Sequence, residues 1–464
     1  MLVCAIMIIV MKKWMKYRAS IVFFFVTWFL LVISFTGNFF GVGLWQSWFD
    51  GFQRDSSAII EKTARCKEKS SYSGPLIVTK NEDYNSVMMS EGCDTSLLKP
   101  YASQYGLQAR IITALAPNDS AKLPSYFKKV NVVLSVAMAI LMALVALKIR
   151  KLFGFVVAVI FTALVALSPW IVGYAQNMYW IEPLMFAPFA FAFLSYSYCK
   201  SSKKMWLFYL GEAILLFLKL LGGYEYISTI AISVFVPIIF FELVNNKQKI
   251  ISLWKHAVMT CIVVVVAFVG AYATNFMALS DYYHSSDTAL KMINERASER
   301  GLSGIRKMRT HAIGNLKMLL PESYTFADRF INMEELAKDK GSTYQYLAIN
   351  AGNYVLLPAL SLPLSIKGVF GEIVQSILIW VLVGYLVLFY LKRRHPSFKY
   401  YRSFLWSLHI SLAGALSWLI LMPGHALPHA HINGIVFYMP LLLFVYMVVG
   451  LYIGNIVKKR RKRA

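Results

Sequence analysis

Two aspartates close behind the first apolar run are the first candidates for chemistry in this chain. Asp50 and Asp55 lie five residues apart among aromatic side chains, where the chain leaves that run. A general base needs a carboxylate close to the hydroxyl that it deprotonates, with a pKa tuned by partial burial. Arg54, between them, could pair with a phosphate. We therefore expect the segment from Leu44 to Arg110 to carry the chemistry, with Asp55 as first choice of base and Asp50 as second.

The same aspartates also have a structural interpretation. In a solvated loop, Asp55 or Ser56 would cap a helix that the pattern predicts over residues 56–69. A turn and a short strand are predicted over 70–81, and a second helix over 104–115. Both interpretations stay open for each aspartate, and the loop interpretation is favoured more for Asp50.

The composition predicts a membrane protein. Hydrophobic residues make up 58% of the 464 residues and the mean hydropathy is +0.56, more than a soluble protein of this size usually shows. Apolar runs of about 20 residues are typical of spanning helices, because a helix satisfies its own backbone in lipid. The sequence therefore predicts an all-α polytopic membrane protein with about ten spans, at residues 20–41, 127–147, 152–170, 181–199, 205–222, 226–244, 257–278, 372–391, 403–422 and 434–456.

Basic residues are concentrated between these runs. Six segments that contain no acid hold 24 Lys and Arg together, which equals the formal net charge of +24: residues 12–18, 148–151, 200–204, 247–255, 392–402 and 458–463. Short basic loops stay on the cytoplasmic side, so both termini are expected there. Because the charge is divided among short loops, it argues against a nucleic-acid groove and fits contact with anionic membrane lipid.

This topology divides the chain into five parts. Residues 1–41 contain the cytoplasmic N-terminus and first span, and 42–125 form a first extracytoplasmic loop with the two aspartates. Residues 126–278 contain spans two to seven, 279–371 a second large extracytoplasmic loop, and 372–464 spans eight to ten with the basic tail. Most chemically versatile side chains outside the basic loops fall on the outer side, so we expect function there.

Three ionisable residues stand at the outer ends of predicted spans. Glu182 begins the fourth span, Lys219 lies near the outer end of the fifth, and Glu225 lies between two tyrosines at the head of the sixth. Such groups are costly in a membrane and are candidates for function. Lys219 could meet a phosphate or a glutamate, or it could extend its ammonium to the interface.

Histidines and arginines near the outer face have competing interpretations. Three imidazoles occur within seven residues, at His425, His429 and His431, but their spacing matches no standard zinc pattern. Hydrogen bonding to a phosphate or a sugar, or a structural interface, is expected instead.

Four arginines of the second outer loop are expected on a solvated, salt-bridged helix, or in one case beside a phosphate: Arg296, Arg300, Arg306 and Arg309.

Two cysteines fall in the first outer loop. In an oxidising periplasm, a disulfide between Cys66 and Cys93 is expected. Closing the intervening loop would stabilise that loop by roughly 3 kcal/mol. Two free thiols are the other interpretation.

Four short segments resemble bacterial inner-membrane proteins that include the O-antigen-modifying, serotype-converting glucosyltransferases. They are Tyr101-Ala-Ser-Gln-Tyr-Gly-Leu-Gln, Asn177-Met-Tyr-Trp-Ile-Glu-Pro, Gly223-Tyr-Glu-Tyr-Ile-Ser-Thr-Ile and His429-Ala-His-Ile-Asn. An acid after the first span, two long outer loops and about ten spans are also similar to the GT-C class of membrane glycosyltransferases. The resemblance is spread over most of the chain, although each motif is short.

That resemblance implies an inverting transfer of a single hexose from an undecaprenyl-phosphate donor to O-antigen or another periplasmic-face glycan. It places the catalytic acid on Asp55 or Asp50, although the family often shows two adjacent acids there. It also implies a bacterial inner-membrane location with a periplasmic active face. No cofactor follows from it, and a divalent cation stays open because metal dependence varies within the class. Donor-phosphate or lipid contacts would come from Arg54, Lys219, Arg300, His425, His429 and His431, and substrate contacts from Tyr101, Gln104, Tyr179, Trp180, Glu182, Tyr224 and Glu225.

Two other functions compete with this one. An O-antigen polymerase or ligase would also have many spans, but it would place its key arginines in the later outer loop and need no acid after span one. A flippase or transporter of lipid-linked saccharides would show Gly/Pro-broken spans in repeated halves, and no such repeat is present in the sequence.

Overall fold

The computed structural model describes residues 2–41, 46–67, 76–80, 84–90, 92–199, 204–244, 250–300, 313–314, 317–318, 320–329, 333, 343–360, 368–426, 429 and 432–461. Within these ranges the chain is built almost wholly of helices, together with a two-stranded antiparallel sheet. Three residues of interest from the sequence, Arg306, Arg309 and His431, lie outside the described residues, as does the start of the aspartate segment at Leu44 and Trp45.

The helices of the first half alternate between long membrane helices and short elements of the outer loops. They are α1 (Leu2–Gly37), α2 (Gln46–Gly51), α3 (Arg54–Cys66), α4 (Tyr84–Met88), α5 (Leu107–Leu115), α6 (Leu123–Phe153), α7 (Phe155–Ala166), α8 (Pro169–Tyr174), α9 (Glu182–Cys199), α10 (Met205–Gly222) and α11 (Ile227–Val244). Strands β1 (Ile77–Thr79) and β2 (Leu98–Pro100) pair between α3 and α5.

The second half continues in the same manner. Its helices are α12 (Ile250–Tyr283), α13 (Ser286–Arg300), α14 (Pro321–Asp328), α15 (Thr343–Leu356), α16 (Gly368–Gln375), α17 (Ile377–Arg394), α18 (Tyr401–Leu421), α19 (Pro423–Ala426) and α20 (Leu441–Arg461). A 3-10 helix, Asn433–Tyr438, precedes α20.

Seven helices in the described part of the chain are long and apolar enough to cross a membrane: α1, α6, α10, α11, α12, α18 and α20. The chain is therefore an all-α multi-pass membrane protein. The spans predicted at 205–222 and 226–244 agree with α10 and α11 to within one residue.

Three of the other predicted spans coincide with helices that are not among these seven. The one at 152–170 coincides with α7, which has 12 residues and ends at Ala166. A proline has no N–H to extend a helix and favours a first helical position, so Pro169 begins a separate helix, α8. The spans predicted at 181–199 and 372–391 coincide with α9 and α17, each of 18 residues, and α9 contains Pro188.

Helix α11 lies inside the bundle and fixes the position of the turn before it. It packs against α9, α12 and α18, while α20 packs against α7, α17 and α18. The first turns of α20, from Leu441 to Val448, are completely buried. The turn between α10 and α11 and the loop between α8 and α9 are therefore held by helices that are themselves packed on several sides.

The segment between α1 and α6, which the sequence predicts as the first outer loop, forms a small subdomain with its own apolar core. Helix α3 packs against α4, α5 and β1, and the core includes Ile60, Ile112 and Leu98. The Lys62 ammonium is buried and donates to the Ser90 hydroxyl at 2.8 Å and the Ser90 carbonyl at 3.0 Å. Buried polar groups are normally paired in this way, so Lys62 fixes the loop that leads to Cys93.

A disulfide joins Cys66 to Cys93, the pairing that the sequence predicts, with 5.2 Å between the two Cα atoms. We expect Cys66→Ser/Cys93→Ser to destabilise the outer subdomain by roughly 3 kcal/mol, because the open chain gains loop entropy. Limited proteolysis of the membrane-embedded protein should then cut the first outer loop faster, while cleavage at the basic C-terminal tail stays unchanged. Equal cleavage of the outer loop in both proteins would contradict this expectation.

Candidate outer-face site

The indole of Trp180 lies where three elements of the outer face meet. Its ring stacks on Tyr226 with 5.5 Å between centroids and contacts Tyr174 at 5.7 Å. Its N–H donates to the Gln53 side-chain oxygen at 3.2 Å. Trp180 therefore joins the first outer loop, the loop between α8 and α9, and the turn between α10 and α11.

Asn177 holds the segment that carries the two aspartates. Its amide nitrogen donates to the carbonyls of Phe52 and Gln53 at 3.5 and 3.4 Å and to the Ser57 hydroxyl at 3.2 Å. Its oxygen accepts from the backbone N–H groups of Tyr179 and Trp180 at 2.9 and 3.1 Å. One side chain thus fixes both the loop between α8 and α9 and the turn between α2 and α3.

Asp50 and Asp55 lie on either side of this turn, and both are exposed. We call residues 50–55 the aspartate turn. At its centre Gln53 is buried in the left-handed conformation, with φ of 55°. The turn is therefore held by the buried Gln53 at its centre, while the Asp50 and Asp55 carboxylates are exposed.

The prediction that Asp55 or Ser56 caps α3 is wrong. The helix begins at Arg54, so the capping position falls to Gln53, whose side chain makes no capping hydrogen bond. Asp55 lies in the first turn instead, where the helix dipole favours a carboxylate. The Tyr84 hydroxyl donates to the Asp55 backbone carbonyl at 2.7 Å, and burial, followed by the nearby Asp55 carboxylate, raises the pKa of Tyr84.

An ion pair joins the end of α13 to the turn between α10 and α11. The Arg300 guanidinium, at the end of α13, donates to the Glu225 carboxylate at 2.9 Å, with side chains 18% and 4% exposed. Burial acts to lower the pKa of Arg300, but the Glu225 carboxylate raises it above its usual value, so the arginine stays charged. The expected solvated pairing along the helix holds for Arg296 with Glu299, at 2.7 Å, and not for Arg300.

Lys219 adds a second buried cation to this pair. Its ammonium donates to the backbone carbonyls of Gly223 and Glu225, the latter at 2.6 Å. It therefore folds back onto the turn between α10 and α11 and does not extend to the interface, which was one of the two predicted placements. We call Lys219, Glu225 and Arg300 the basic cluster, since two cations face one carboxylate.

Phenol and amide groups surround the basic cluster. The Tyr179 hydroxyl lies 3.2 Å from the Tyr101 hydroxyl and 3.4 Å from the Gln104 side-chain oxygen, and its single proton can be donated to either of them. Burial, followed by the Glu225 charge, raises the pKa of Tyr179, so it stays protonated as a donor. The structure thus brings together six residues that the sequence proposed as ligand contacts: Tyr101, Gln104, Tyr179, Lys219, Glu225 and Arg300.

Gln108 is a residue of this site that the sequence analysis did not select. Its amide nitrogen donates to the carbonyls of Tyr179 and Gly222, both at 2.8 Å, and it lines a small polar cavity with Trp180 and the basic cluster residues Lys219 and Glu225. The sequence did contain an indication of its role, because Gln108 is the last residue of the Tyr101–Gln108 motif. Asn177 and Tyr226 lie in the quoted motifs too.

Some buried polar atoms at this site have no hydrogen-bond partner among the described residues. They are the side-chain nitrogen of Gln104 and the side-chain oxygen of Gln108. Buried polar groups are nearly always paired, so the Gln108 oxygen, which lines the small cavity, is suited to accepting a hydrogen bond from a group bound there, whereas Gln104 does not line this cavity. The carboxylate of Glu182 is also buried without a partner in the described chain, but Glu182 does not line the cavity.

The remaining predicted contacts lie at the edges of the site. His425 is buried, with its ring 4.4 Å from that of His429 and 5.3 Å from that of Trp418, which fits the structural-interface interpretation. The Tyr224 ring packs on Phe268, and Arg54 is exposed.

Over the described ranges, no three His, Cys, Asp or Glu residues are grouped to hold a metal ion.

The close approach at Gly223 gives a direct test of the site. A Cβ at this position would overlap the Glu225 carboxylate and the Gln104 side-chain oxygen. We expect Gly223→Ala to displace both groups and to lower the activity of the protein at least tenfold without loss of membrane insertion. Gly37→Ala, where a Cβ meets nothing within 4 Å, is the matched control and should retain full activity. Unchanged activity in Gly223→Ala would show that the site does not need this arrangement.

Comparisons with protein-family models, with curated proteins and with solved structures found no match.

Proposed function

We propose that this protein is an inverting membrane glycosyltransferase that moves one hexose from a polyprenyl-phosphate donor to a glycan on the outer face of the membrane. One observation carries the proposal. The segment from Asn177 to Trp180 anchors the aspartate turn through Gln53, and its Trp180 lines a small cavity together with Lys219 and Glu225 of the basic cluster. A base and a phosphate-stabilising charge are the two groups that this transfer requires.

The carboxylates supply the base. Asp55, or Asp50 in its place, accepts the proton of the acceptor hydroxyl as the hydroxyl oxygen attacks the anomeric carbon. The bond between that carbon and the phosphate oxygen breaks, and its electron pair leaves with the lipid phosphate. Attack from the face opposite the phosphate inverts the anomeric configuration.

The basic cluster stabilises the leaving group. Lys219 and Arg300 together carry one more charge than Glu225 neutralises; Lys219 and Glu225 are buried, and the Arg300 side chain is 18% exposed. Charges fixed in such a low-dielectric position interact more strongly with a developing phosphate anion than they would in water. Tyr101, Gln104, Tyr179 and Gln108 supply hydrogen bonds to sugar hydroxyls.

The topology belongs to the same proposal. We propose ten spans with both termini cytoplasmic, in a bacterial inner membrane, because the net positive charge lies in short loops on one side. The outer loops at 42–125 and 279–371 then lie in the periplasm, and the lipid donor reaches the site from the outer leaflet. A reporter fused after Lys255 that proved periplasmic would overturn this orientation.

One observation favours a second candidate. Arg300 belongs to the later outer loop and takes a central place in the basic cluster. An arginine of that loop is what an O-antigen polymerase or ligase would use. The exposed aspartates of the first outer loop, which such an enzyme would not need, favour the transferase.

Expression in a host with a defined lipopolysaccharide distinguishes the two. The transferase proposal expects a new hexose branch on the O-antigen and an unchanged chain-length distribution. Altered chain length without a new branch would support the polymerase or ligase instead. Unchanged glycan in a host that makes several polyprenyl-phosphate hexoses would count against both.

A further inference from the structure

An apolar groove runs along the membrane side of the bundle, separate from the outer-face site. It lies between α1 and α7 and is lined by exposed side chains such as Val22, Val26, Val159 and Ala163. Its volume is about 660 Å³, within the range of roughly 300–1,000 Å³ that ligand pockets show. The groove is therefore large enough to hold part of a ligand.

Two arginines lie at one end of this groove. Arg18 of α1 and Arg150 of α6 both line it. Arg150 is held in place, because its guanidinium donates to the Ala19 carbonyl at 2.7 Å and lies 5.1 Å from the centre of the Phe23 ring. A guanidinium is suited to binding a phosphate diester or monoester.

The groove is long enough to hold an acyl chain. From Arg18 to Leu30, α1 advances roughly 18 Å at about 1.5 Å per residue. The hydrocarbon core of a bilayer is about 30 Å thick, so this part of the groove covers roughly one leaflet. Phe40, Ala166 and Leu167 line the groove farther from the arginines, where the Ser34 hydroxyl donates to the Ala166 carbonyl at 2.8 Å and joins the two helices.

We propose that the groove binds one anionic phospholipid of the leaflet on the arginine side. An acyl chain lies between α1 and α7, and the phosphate contacts Arg18 and Arg150. The polyprenyl donor does not fit this description, since α1 runs from Arg18 toward the aspartate turn and the donor phosphate is needed at that opposite end. This inference does not depend on the proposed transferase activity.

A second apolar groove of the same chain provides a control. It lies on α12 and is lined by Trp254, Ala257, Val258, Cys261, Ile262, Val265 and Val266, with no charged side chain. It can accept a hydrocarbon chain but offers no cation to a headgroup. Selectivity for anionic lipid should therefore belong to the groove between α1 and α7.

Native mass spectrometry of the full chain in mild detergent tests the proposal. Phosphatidylglycerol and phosphatidylcholine with the same acyl chains are titrated separately. We expect the wild-type protein to retain phosphatidylglycerol on the order of tenfold more strongly, since each basic residue near a membrane surface attracts anionic lipid. Arg18→Ala/Arg150→Ala should remove that preference, and Ala163→Trp, which fills the groove but keeps both arginines, should weaken phosphatidylglycerol binding to a similar extent.

Matched controls test whether the lipid preference depends on these two arginines and this groove, or on any exposed arginines and any apolar groove. Arg393→Ala/Arg394→Ala removes two exposed arginines elsewhere, and Ala257→Trp fills the uncharged groove on α12. Both should keep the tenfold preference. Equal lipid preference in wild type and in Ala163→Trp would overturn the proposal, and so would tighter binding of undecaprenyl phosphate than of phosphatidylglycerol at the same arginines.

Discussion

Asp55→Asn is expected to lower hexose transfer by about 10²–10⁴-fold, the usual loss when a positioned general base is removed. Asparagine has nearly the same shape but cannot accept the proton of the acceptor hydroxyl. Asp55 is exposed and lies in the first turn of α3, not at its capping position, so the fold of α3 should be kept. The measurement is the initial rate of transfer by purified protein, normalised to the amount of folded protein.

Asp50→Asn and Asp119→Asn complete this test. Asp119 is an exposed aspartate of the same outer loop that pairs with Lys122 at 3.2 Å and accepts the Ala121 N–H at 3.0 Å. Because asparagine keeps that turn, Asp119→Asn should retain wild-type transfer. If Asp50→Asn is inactive and Asp55→Asn is active, the base is Asp50. Full transfer by both variants would show that the aspartate turn does not carry the chemistry.

Removing the Arg300 charge from the ion pair with Glu225 should have the second largest effect on transfer and on stability. Arg300→Gln leaves a buried carboxylate without its cation, and removing one partner of a buried ion pair costs roughly 3–5 kcal/mol. We expect the variant to be less stable and to lose transfer. The matched control is Arg296→Gln, because that arginine pairs with Glu299 where both side chains are 42% exposed, and exposed pairs contribute about 0–1 kcal/mol.

The double variant Arg300→Gln/Glu225→Gln distinguishes a structural pair from a catalytic one. With both charges removed, neither partner is left buried and unpaired, so thermal stability should recover by comparison with Arg300→Gln. Transfer should stay low, since the Arg300 guanidinium is absent and the remaining cation, Lys219, already donates to two backbone carbonyls. Recovery of transfer together with stability would mean that the pair only holds α13 against the bundle.

The fold class could be predicted from the sequence because apolar runs of spanning length are local signals. Helices α10 and α11 were predicted almost to the residue for that reason. The predicted span at 152–170 is longer than α7, because Pro169 begins a separate helix. Strand β2 was missed because Leu98, Lys99 and Pro100 are too few to show alternation, and its pairing with β1 depends on contacts that are distant in sequence.

The site was only partly predictable for the same reason. Its motifs contain Gln104, Tyr179 and Glu225, and these residues lie together in the structure. The sequence could not show that Arg300 pairs with Glu225, which lies 75 positions away, in preference to the adjacent Glu299. Nor could it show that Gln53 would take the capping position at α3, since a left-handed glutamine is uncommon there.

The most direct test of the central proposal is transfer by the purified protein alone. The chain is reconstituted in vesicles with a polyprenyl monophosphate that carries one labelled hexose, and a lipid-linked O-antigen acceptor is added. We predict that label moves to the acceptor with inverted anomeric configuration, and that the Asp50→Asn/Asp55→Asn double variant does not support this transfer. Label that stays on the polyprenyl lipid while crossing the vesicle membrane would contradict the account and indicate a transporter.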